Sequence, residues 1–347
     1  MKQIIGLLFI LIISYHLSAQ AVILNKINYY PKRDSDYYFR PICDLDISGN
    51  YLYGVVNFED KILKFKLNNG LKLEKIIGKQ GQGPGDLIRP VALSICQGEL
   101  VVRDNVGYSI YDLEGNFKQR FRAFTSNISF LFIDDIIFTI NPHPEEYYLI
   151  EAYAKDGKRL YDFGDKFIRL RDEIFKGLNP FEIEKNVYQG NLLSDGKHIY
   201  YANSKFGKII KFDKKGRKVE EKDITAFFGE KGKKILKKNQ EMWLDKGIDI
   251  TLTHSFKPYD LFMDAFLSRG NIYLLGSEWV PGEKDREPIV EIICLDANSL
   301  TLSSKYMIKR AKDERFFCFA IDEQGNEPTF YVSMEDENGY VISIYKK

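Results

Sequence analysis

A stretch rich in glycine and proline, residues 78–90, most constrains what this chain can fold into. Its sequence, G-K-Q-G-Q-G-P-G-D-L-I-R-P, holds four glycines and two prolines. Glycine tolerates positive φ and proline interrupts helices and central strands, so this stretch is predicted to be a loop. Four strand-like runs follow it, separated by turn residues at Gly98, Gly107 and Gly115. These runs, at 91–95, 99–104, 108–112 and 117–121, predict one four-stranded antiparallel sheet.

The same rhythm of strand, tight turn and strand recurs six times along the chain. Inner strands are predicted at 43–47, 91–95, 128–133, 188–193, 261–267 and 316–321. Second strands are predicted at 51–56, 100–104, 136–140, 199–203, 272–276 and 329–334. Third strands are predicted at 62–67, 109–112, 148–153, 208–213, 290–295 and 340–345. Repeated sheets of this kind are typical of a β-propeller, so we expect an all-β, six-bladed β-propeller with four-stranded antiparallel blades.

We expect residues 22–347 to form a single domain, because no linker interrupts the strand quartets. A β-sandwich with a second domain is the less favoured alternative. The last quartet lacks an outer strand, which would leave an unpaired edge. We therefore predict that the segment from Val22 to Tyr29 pairs with Tyr340 to Tyr345 and closes the ring.

Two segments without strand alternation, 167–185 and 225–246, predict loops inserted into the propeller. The second insertion is expected to be partly helical, since its apolar residues fall on one helical face. These residues are Ile235, Leu236, Trp243 and Leu244. If residues 78–90 join an outer strand to the next inner strand, both insertions occupy the same kind of connection. They then rise from the edge that also carries the loops between second and third strands, which we name the upper face.

The best-matched repeat spans residues 76–122. It contains Gly78-x-x-Gly81-x-Gly83-Pro84-Gly85-Asp86-Leu87, then Gly98-x-Leu100-x-Val102-x-Asp104, then Ile110-x-x-Asp112-x-x-Gly115-x-Phe117. This pattern resembles an NHL-type repeat and the exported six-bladed propellers of Bacteroidetes bacteria, whose repeats carry a G-x-G-P-G-E/D loop. The resemblance implies a propeller architecture. Proteins of the NHL type include scaffolds, sensors, nucleic-acid binders and a few lyases, so the resemblance implies no particular activity.

The N-terminal segment Met1 to Ala21 is predicted to be a secretory signal peptide. Lys2 supplies the positive charge, residues 4–13 are apolar, and residues 19–21 offer an A-x-A cleavage site. A membrane anchor is the alternative, but about ten apolar residues are too few to cross roughly 30 Å of hydrocarbon. The first cysteine is Cys43, so no lipid anchor is expected at the cleavage site. The sequence thus predicts a periplasmic or secreted monomer without a membrane anchor.

Charge composition argues against a nucleic-acid partner. The formal net charge of +1 falls to about zero once Lys2 is removed, so no overall field attracts nucleic acid or an anionic membrane. A lysine-rich run, residues 205–238, is open to two interpretations: an anion-binding patch for acidic glycans, or a solvated outer edge. The solvated edge is favoured, since charge blocks are usually surface chemistry. The expected partner is a small molecule, a glycan or a protein.

No catalytic motif is present in the sequence. H-E-x-x-H and G-x-S-x-G are absent, and the Gly-rich loop lacks the Lys-Ser/Thr pair that cradles phosphate. His143 is predicted on the upper face and His198 on the lower face, so with His254 they do not form a three-histidine metal site.

Polar residues gather at the predicted upper ends of the second strands. We predict a ligand site in the upper axial funnel, formed by Asp104, Asn105, Asn141, Asn203, Glu278 and Trp279, with Arg89 and Arg103 adding charge. The favoured function is non-enzymatic binding without a cofactor. The alternative is a lactonase-like, metal-assisted hydrolase or lyase. It would hold Ca²⁺ through Asn57, Asp104, Asn203 and Glu278, since Ca²⁺ takes six to eight oxygen ligands.

The four cysteines are predicted to remain unpaired. Cys43 and Cys96 lie at different heights on adjacent inner strands, and Cys294 and Cys318 lie on a third and an inner strand, so neither pair meets disulfide geometry. Each thiol is expected to behave as a small buried hydrophobe.

Titration of denatured, unreduced protein with a thiol reagent should therefore find four reactive thiols per chain. A count below four would contradict the strand positions assigned to these residues.

Overall fold

The computed structural model describes residues 21–32, 37–67, 70–122, 129–141, 143, 145–167, 186–241 and 258–347. Twenty-four strands and one α-helix of twelve residues lie in these ranges. The first strands are β1 Ala21–Tyr30, β2 Ile42–Ser48, β3 Tyr51–Val56, β4 Lys61–Lys66, β5 Lys72–Ile77, β6 Ala92–Cys96, β7 Glu99–Arg103, β8 Tyr108–Asp112, β9 Phe117–Phe121, β10 Phe130–Ile133, β11 Ile136–Ile140 and β12 Tyr148–Ala154. The others are β13 Arg159–Asp165, β14 Gly190–Ser194, β15 His198–Asn203, β16 Lys208–Asp213, β17 Lys218–Asp223, β18 Phe262–Ser268, β19 Asn271–Gly276, β20 Ile289–Asp296, β21 Leu302–Lys309, β22 Arg315–Asp322, β23 Thr329–Asp336 and β24 Gly339–Lys346.

The strands form meanders in chain order. Four sheets have four antiparallel strands each, namely β2 to β5, β6 to β9, β10 to β13 and β14 to β17. A fifth sheet has eight strands in the order β18-β19-β20-β21-β1-β24-β23-β22. The predicted inner, second and third strands all overlap observed strands, which confirms the all-β class and the four-stranded repeat.

Strand β1 joins the two halves of the eight-stranded sheet. Residues from Asn25 to Tyr30 pair antiparallel with β24, as predicted for closure of the ring. Residues from Ala21 to Leu24 pair parallel with β21, which the sequence analysis did not predict. The reason lies in strand length. Because β24 ends at Lys346, opposite Asn25, the preceding residues of β1 extend past it onto the unpaired edge of β21.

Six hydrophobic clusters lie between consecutive meanders in the described residues. In one of them, Tyr53 and Ile62 of the first four-stranded sheet pack with Leu100 and Val102 of the second. Both faces of each sheet are buried against neighbouring sheets. The second strand of a sheet therefore has nearly all of its residues buried, as in β3, and not only every other residue. This face-to-face stacking of four-stranded meanders around an axis is a propeller arrangement.

The upper face is defined by the antiparallel order of the strands. The loop after each outer strand and the loop after each second strand emerge at the same edge, since neighbouring strands run in opposite directions. The Gly-rich loop joins β5 to β6 and thus lies at this edge, as predicted. It folds back on itself: the N–H of Leu87 donates to the carbonyl of Lys79 (2.8 Å), and Asp86 accepts from the N–H of Gly83 (3.0 Å). A side chain at Gly81, where φ is +156°, would collide with Asp86.

The second insertion is partly helical, as predicted. A 3₁₀ turn at Thr225–Phe228 leads into helix α1, Gly229–Gln240, in the connection between β17 and β18. Ile235 of this helix is buried, and Leu236 packs against a neighbouring cluster. Trp243 and Leu244, and all of the first insertion except Phe167, lie outside the described residues.

Two lysines of the run at 205–238 correct the expectation of a wholly solvated edge. Lys205 is buried and pairs with Asp260 (2.6 Å), and buried Lys211 donates to the carbonyls of Ala297 and Asn298 (3.2 Å each). Their long side chains cross to the next meander, so they tie neighbouring sheets together.

All four cysteines are free, as predicted, but their burial differs from the expectation. Cys294 and Cys318 are buried, Cys96 is half-buried, and Cys43 is exposed. Cys43 is exposed because its position near the start of β2 places it on the axial cavity described below.

The described residues contain no helix long and apolar enough to cross a membrane. The predicted signal peptide, apart from Ala21, lies outside them.

Ring closure through β1 can be tested with two adjacent apolar residues. Leu24 is 4% exposed and packs into the cluster between β20 and β23, whereas Ile23 is 47% exposed. Leu24→Ala should lower the free energy of unfolding by about 2–4 kcal/mol, because it removes a buried side chain from the closing strand. The matched control Ile23→Ala should cost less than about 1 kcal/mol. Urea melts of both variants measure the difference, and equal losses would contradict a stabilising role for β1.

Candidate functional site

The polar residues that follow the second strands organise turns on the upper face. Oδ1 of Asp104 accepts the N–H groups of Val106 (2.8 Å) and Gly107 (3.0 Å). Oδ1 of Asn203 accepts those of Lys205 (3.1 Å) and Phe206 (2.8 Å). Such side-chain caps are a usual role for Asp and Asn at turns.

Asp104 also anchors the Gly-rich loop. Its Oδ2 accepts the N–H of Ile88 (3.0 Å) and pairs with the Arg120 guanidinium. Arg120 in turn donates to the carbonyl of Asp86 (3.1 Å). Asp104 is buried, so its oxygens hold the loop in place at the upper edge.

Asn141 and Asn203 are fully buried. Oδ1 of Asn141 accepts the N–H of His143 (2.8 Å), and its Nδ2 donates to Glu146 (2.7 Å). Nδ2 of Asn203 donates to the carbonyl of Val187 (2.9 Å). Both amides therefore connect neighbouring segments of the upper face.

The remaining predicted site residues differ widely in exposure. Asn57 is half-buried and donates to the carbonyl of Pro90 (3.0 Å), while Asn105 is exposed. Arg103 is buried, and burial lowers the pKa of its guanidinium. Arg89 is exposed, with its backbone N–H donating to Oδ1 of Asp60 (2.5 Å).

A cavity of about 840 Å³ runs along the inner strands. Its lining extends from the upper ends of these strands, at Pro41 and Val91, to lower turns at Gly49 and Arg269. We name it the axial cavity. Of the predicted site residues, Glu278 and Trp279 line it. The volume falls in the range of small-molecule pockets.

Glu278 and Trp279 form a braced pair at the upper mouth of the axial cavity. Glu278 is 1% exposed, accepts the N–H of Phe316 (2.5 Å) and lies 3.4 Å from Nε of Arg286. Burial raises the pKa of its carboxyl. Arg286 lies over the Trp279 ring, 5.1 Å from its centroid. The Trp279 side chain is still 45% exposed, so one aromatic surface remains available at the mouth.

Polar side chains on the inner strands link neighbouring meanders inside the cavity. Each accepts a backbone N–H from the adjacent inner strand. The bonds are Leu93 to Asp44 (2.7 Å), Ile95 to Asp46 (3.0 Å), Phe132 to Ser94 (3.1 Å), Leu192 to Ser129 (2.9 Å) and Phe319 to Asp264 (3.0 Å). Asn191 also donates to Asp264 (2.9 Å).

These carboxylates make the interior of the cavity acidic. Burial raises the pKa of Asp46 to about 7 and that of Asp264 to about 6. Burial, together with the charge of Asp264, raises the pKa of Asp44 well above its ordinary value. Cys43 lies among these groups on the wall of the cavity, where solvent reaches its side chain, while the surrounding protein and the charge of Asp44 raise the pKa of its thiol.

Sequence reasoning missed these inner-strand residues. The predicted site residues lie at the ends of the second strands, where polar residues are expected in any case. The sequence D-L-D-I-S at residues 44–48 could have indicated them. Carboxylates within an apolar inner strand need hydrogen-bond donors or water around them.

The histidines are separated as predicted. His143 follows β11 on the upper face, and His198 begins β15 at the opposite edge, 3.0 Å from Asp195. His254 lies outside the described residues. Within the part of the chain that the structure describes, no three His, Cys, Asp or Glu side chains come close enough to share a metal ion.

Because the axial carboxylates have raised pKa values, we expect the free energy of unfolding to depend on pH. An aspartate titrates near pH 3.9 when unfolded, and the pKa of Asp46 is about 7 when folded. The folded state therefore binds more protons between these values, and stability should fall as pH rises from about 5 to 8. Asp46→Ser keeps an acceptor for Ile95, as Ser94 does for Phe132, but removes the charge. It should reduce the loss of unfolding free energy over this window by roughly 1–3 kcal/mol.

The matched control is Asp112→Ser on an exposed turn. Hydrogen bonds from Asn116 lower the pKa of Asp112, so its contribution changes only below about pH 4. Chemical denaturation at pH 5 and pH 8 measures all three proteins. If Asp46→Ser shows the wild-type pH dependence, the axial carboxylate is not responsible.

Solved structures share the fold over nearly the whole chain. A candidate exported protein from Bacteroides fragilis aligns with a TM-score of 0.57 at 9% identity, covering 93% of this chain and 95% of that one. A member of the DUF4221 family from Bacteroides vulgatus aligns with a TM-score of 0.53 at 12% identity, over 95% and 97%. The β-propeller domain of Cps50 (Swd1) from Myceliophteria thermophila gives 0.50 at 10%, over 93% and 99%.

No family model matches the sequence, and no curated protein matches it. At these identities the likeness shows the fold alone. The chain has a β-propeller fold.

Proposed function

We propose that this chain is an exported, non-enzymatic binding propeller whose ligand enters the upper mouth of the axial cavity. The observation that carries the proposal is Trp279, which is braced by Arg286 yet 45% exposed at the mouth of a cavity of about 840 Å³. Exposed aromatic anchors beside a concave site are typical of ligand recognition.

We propose that residues 22–347 form a single domain of six blades. The eight-stranded sheet contains two meanders, β18 to β21 and β22 to β24, which β1 joins at their outer edges. With the four separate sheets this makes six units, in accord with the six clusters between consecutive meanders in the described residues.

Export is supported by the signal-peptide pattern of residues 1–21 and by the fold shared with a candidate exported protein of Bacteroides fragilis. In this proposal the mature protein acts as a monomer in the periplasm or outside the cell.

Binding is favoured over the alternative of a Ca²⁺-assisted hydrolase or lyase. The oxygens that such a site would need from Asp104 and Asn203 already accept backbone N–H groups. Glu278 accepts the N–H of Phe316 and lies beside Arg286. The ligand site that we propose therefore depends on Glu278 and Trp279, with Asp104, Asn141 and Asn203 holding the turns around it.

Binding at the upper mouth predicts that Trp279→Ala weakens ligand affinity by at least about tenfold, as expected on truncation of an aromatic anchor. A printed array of neutral and acidic oligosaccharides supplies the probes, and calorimetric titration of each hit compares the proteins. The control Leu160→Ala removes a side chain of similar exposure on outer strand β13, and should leave affinity unchanged. Equal affinity for Trp279→Ala and wild type would place the ligand elsewhere.

A further inference from the structure

We infer that the upper mouth selects an anionic ligand, a uronate-containing oligosaccharide, through three arginines at or just before the starts of consecutive inner strands. This inference rests on the proposed function and names the ligand class of the same site. The arginines are Arg315, Arg40 and Arg89, which we name the arginine arc. Arg315 begins β22, Arg40 lies two residues before β2, and Arg89 lies three residues before β6.

The arc follows from the repeat of the fold. The N–H of Leu93 donates to Asp44, and the N–H of Phe319 donates to Asp264, so these two residues hold equivalent positions. Arg89 and Arg315 stand four residues earlier in sequence, both at the upper end of the inner strands, with a bulge between Phe316 and Cys318 in β22 that β6 lacks. Strand β2 lies between β22 and β6, because it contacts both. Arg40, which precedes β2, is therefore placed between the other two arginines.

The backbone of the arc is fixed, and the guanidinium of Arg315 lies over the Phe317 ring, 5.4 Å from its centroid. The N–H of Arg40 donates to Oε1 of Glu59 (3.3 Å), and the N–H of Arg89 donates to Oδ1 of Asp60 (2.5 Å). All three side chains are exposed. Among the described residues, none of the three guanidinium groups makes an ion pair or a side-chain hydrogen bond.

Other arginines of this protein are engaged in different ways. Arg120 pairs with Asp104, Arg159 pairs with Glu146, and Arg310 donates to carbonyls such as that of Glu287. A guanidinium without a carboxylate partner can bind a carboxylate with two parallel hydrogen bonds, which lysine cannot do. Three such groups at one mouth therefore favour a ligand with repeated carboxylates.

Charge inside the axial cavity holds such a ligand at the mouth. Asp264, whose pKa is about 6, lies deeper along the inner strands and carries a negative charge at neutral pH, so it repels an anion within the cavity. An anion is attracted by the arc at the entrance and repelled further in. The site is thus a surface for docking at the entrance rather than a tunnel for an anion.

Exposed aromatic rings on the upper face favour a sugar as the carrier of these carboxylates. Phe58 is 76% exposed in the turn after β3, and Tyr38 is 54% exposed in the segment before β2. This segment lies against that turn, since Tyr37 and Arg40 both bond Glu59. Trp279 is exposed at the mouth itself. The C–H faces of sugar rings stack on such aromatic surfaces, and a uronate polymer carries one carboxylate on every ring.

The test uses a galacturonate tetramer and its methyl ester, titrated calorimetrically into the full-length mature protein at low and at physiological salt. We expect the acid to bind at least tenfold more tightly than the ester, and to weaken as salt screens the arginines. The double variant Arg89→Gln, Arg315→Gln should lose at least tenfold in affinity for the acid. The control Arg217→Gln changes an exposed arginine on the turn between β16 and β17, and should bind as wild type.

The outcomes separate this inference from the proposed function. Equal binding of acid and ester, with loss of both in Trp279→Ala, would overturn the anionic class and leave the site in place. Binding of a glutamate-rich peptide through the same arginines, without binding of the tetramer, would overturn the sugar assignment. Failure of the tetramer to bind at all would also overturn it. Unchanged thermal melting of the variants shows that each is folded.

Discussion

The structure depends on hydrogen bonds between neighbouring inner strands. Sheets in this arrangement contact one another through side chains, and their inner edges share no backbone ladder. Asp44, Asp46 and Asp264 supply the missing partners by accepting N–H groups from the next strand, with Ser94 in the same role. Unpaired backbone donors inside a protein are costly, so these bonds both fix the sheets and permit an open cavity between them.

The same residues set the electrostatics of the candidate site. Carboxylates that bridge strands also line the axial cavity, and burial raises the pKa of Asp46 to about 7, that of Asp264 to about 6 and that of Asp44 well above its ordinary value. The arginines that begin or precede the inner strands lie at the upper edge, where solvent reaches them. The proposed anion site combines these arginines at the upper edge with the carboxylates that lie deeper in the cavity.

Sequence patterns predicted the strands well because each repeat alternates apolar runs with glycine turns, as in residues 92–121. They predicted the pairing of β1 with β24 from the missing outer strand. They did not predict its parallel pairing with β21, which depends on where two distant strands end. Glu278 and Trp279, which were predicted from strand ends, line the axial cavity, whereas Asp104 and Asn203 cap turns. Whether a polar strand end caps a turn or faces a cavity depends on side-chain direction, which the pattern does not encode.

The central claim is that a ligand binds at the upper mouth of the axial cavity. A crystal structure of the protein soaked with the galacturonate tetramer tests it most directly. The account predicts ordered sugar density beside Trp279, with carboxylates within hydrogen-bond distance of Arg315 or Arg89. Density confined to the outer strands or the lower turns, with an empty upper mouth, would contradict it.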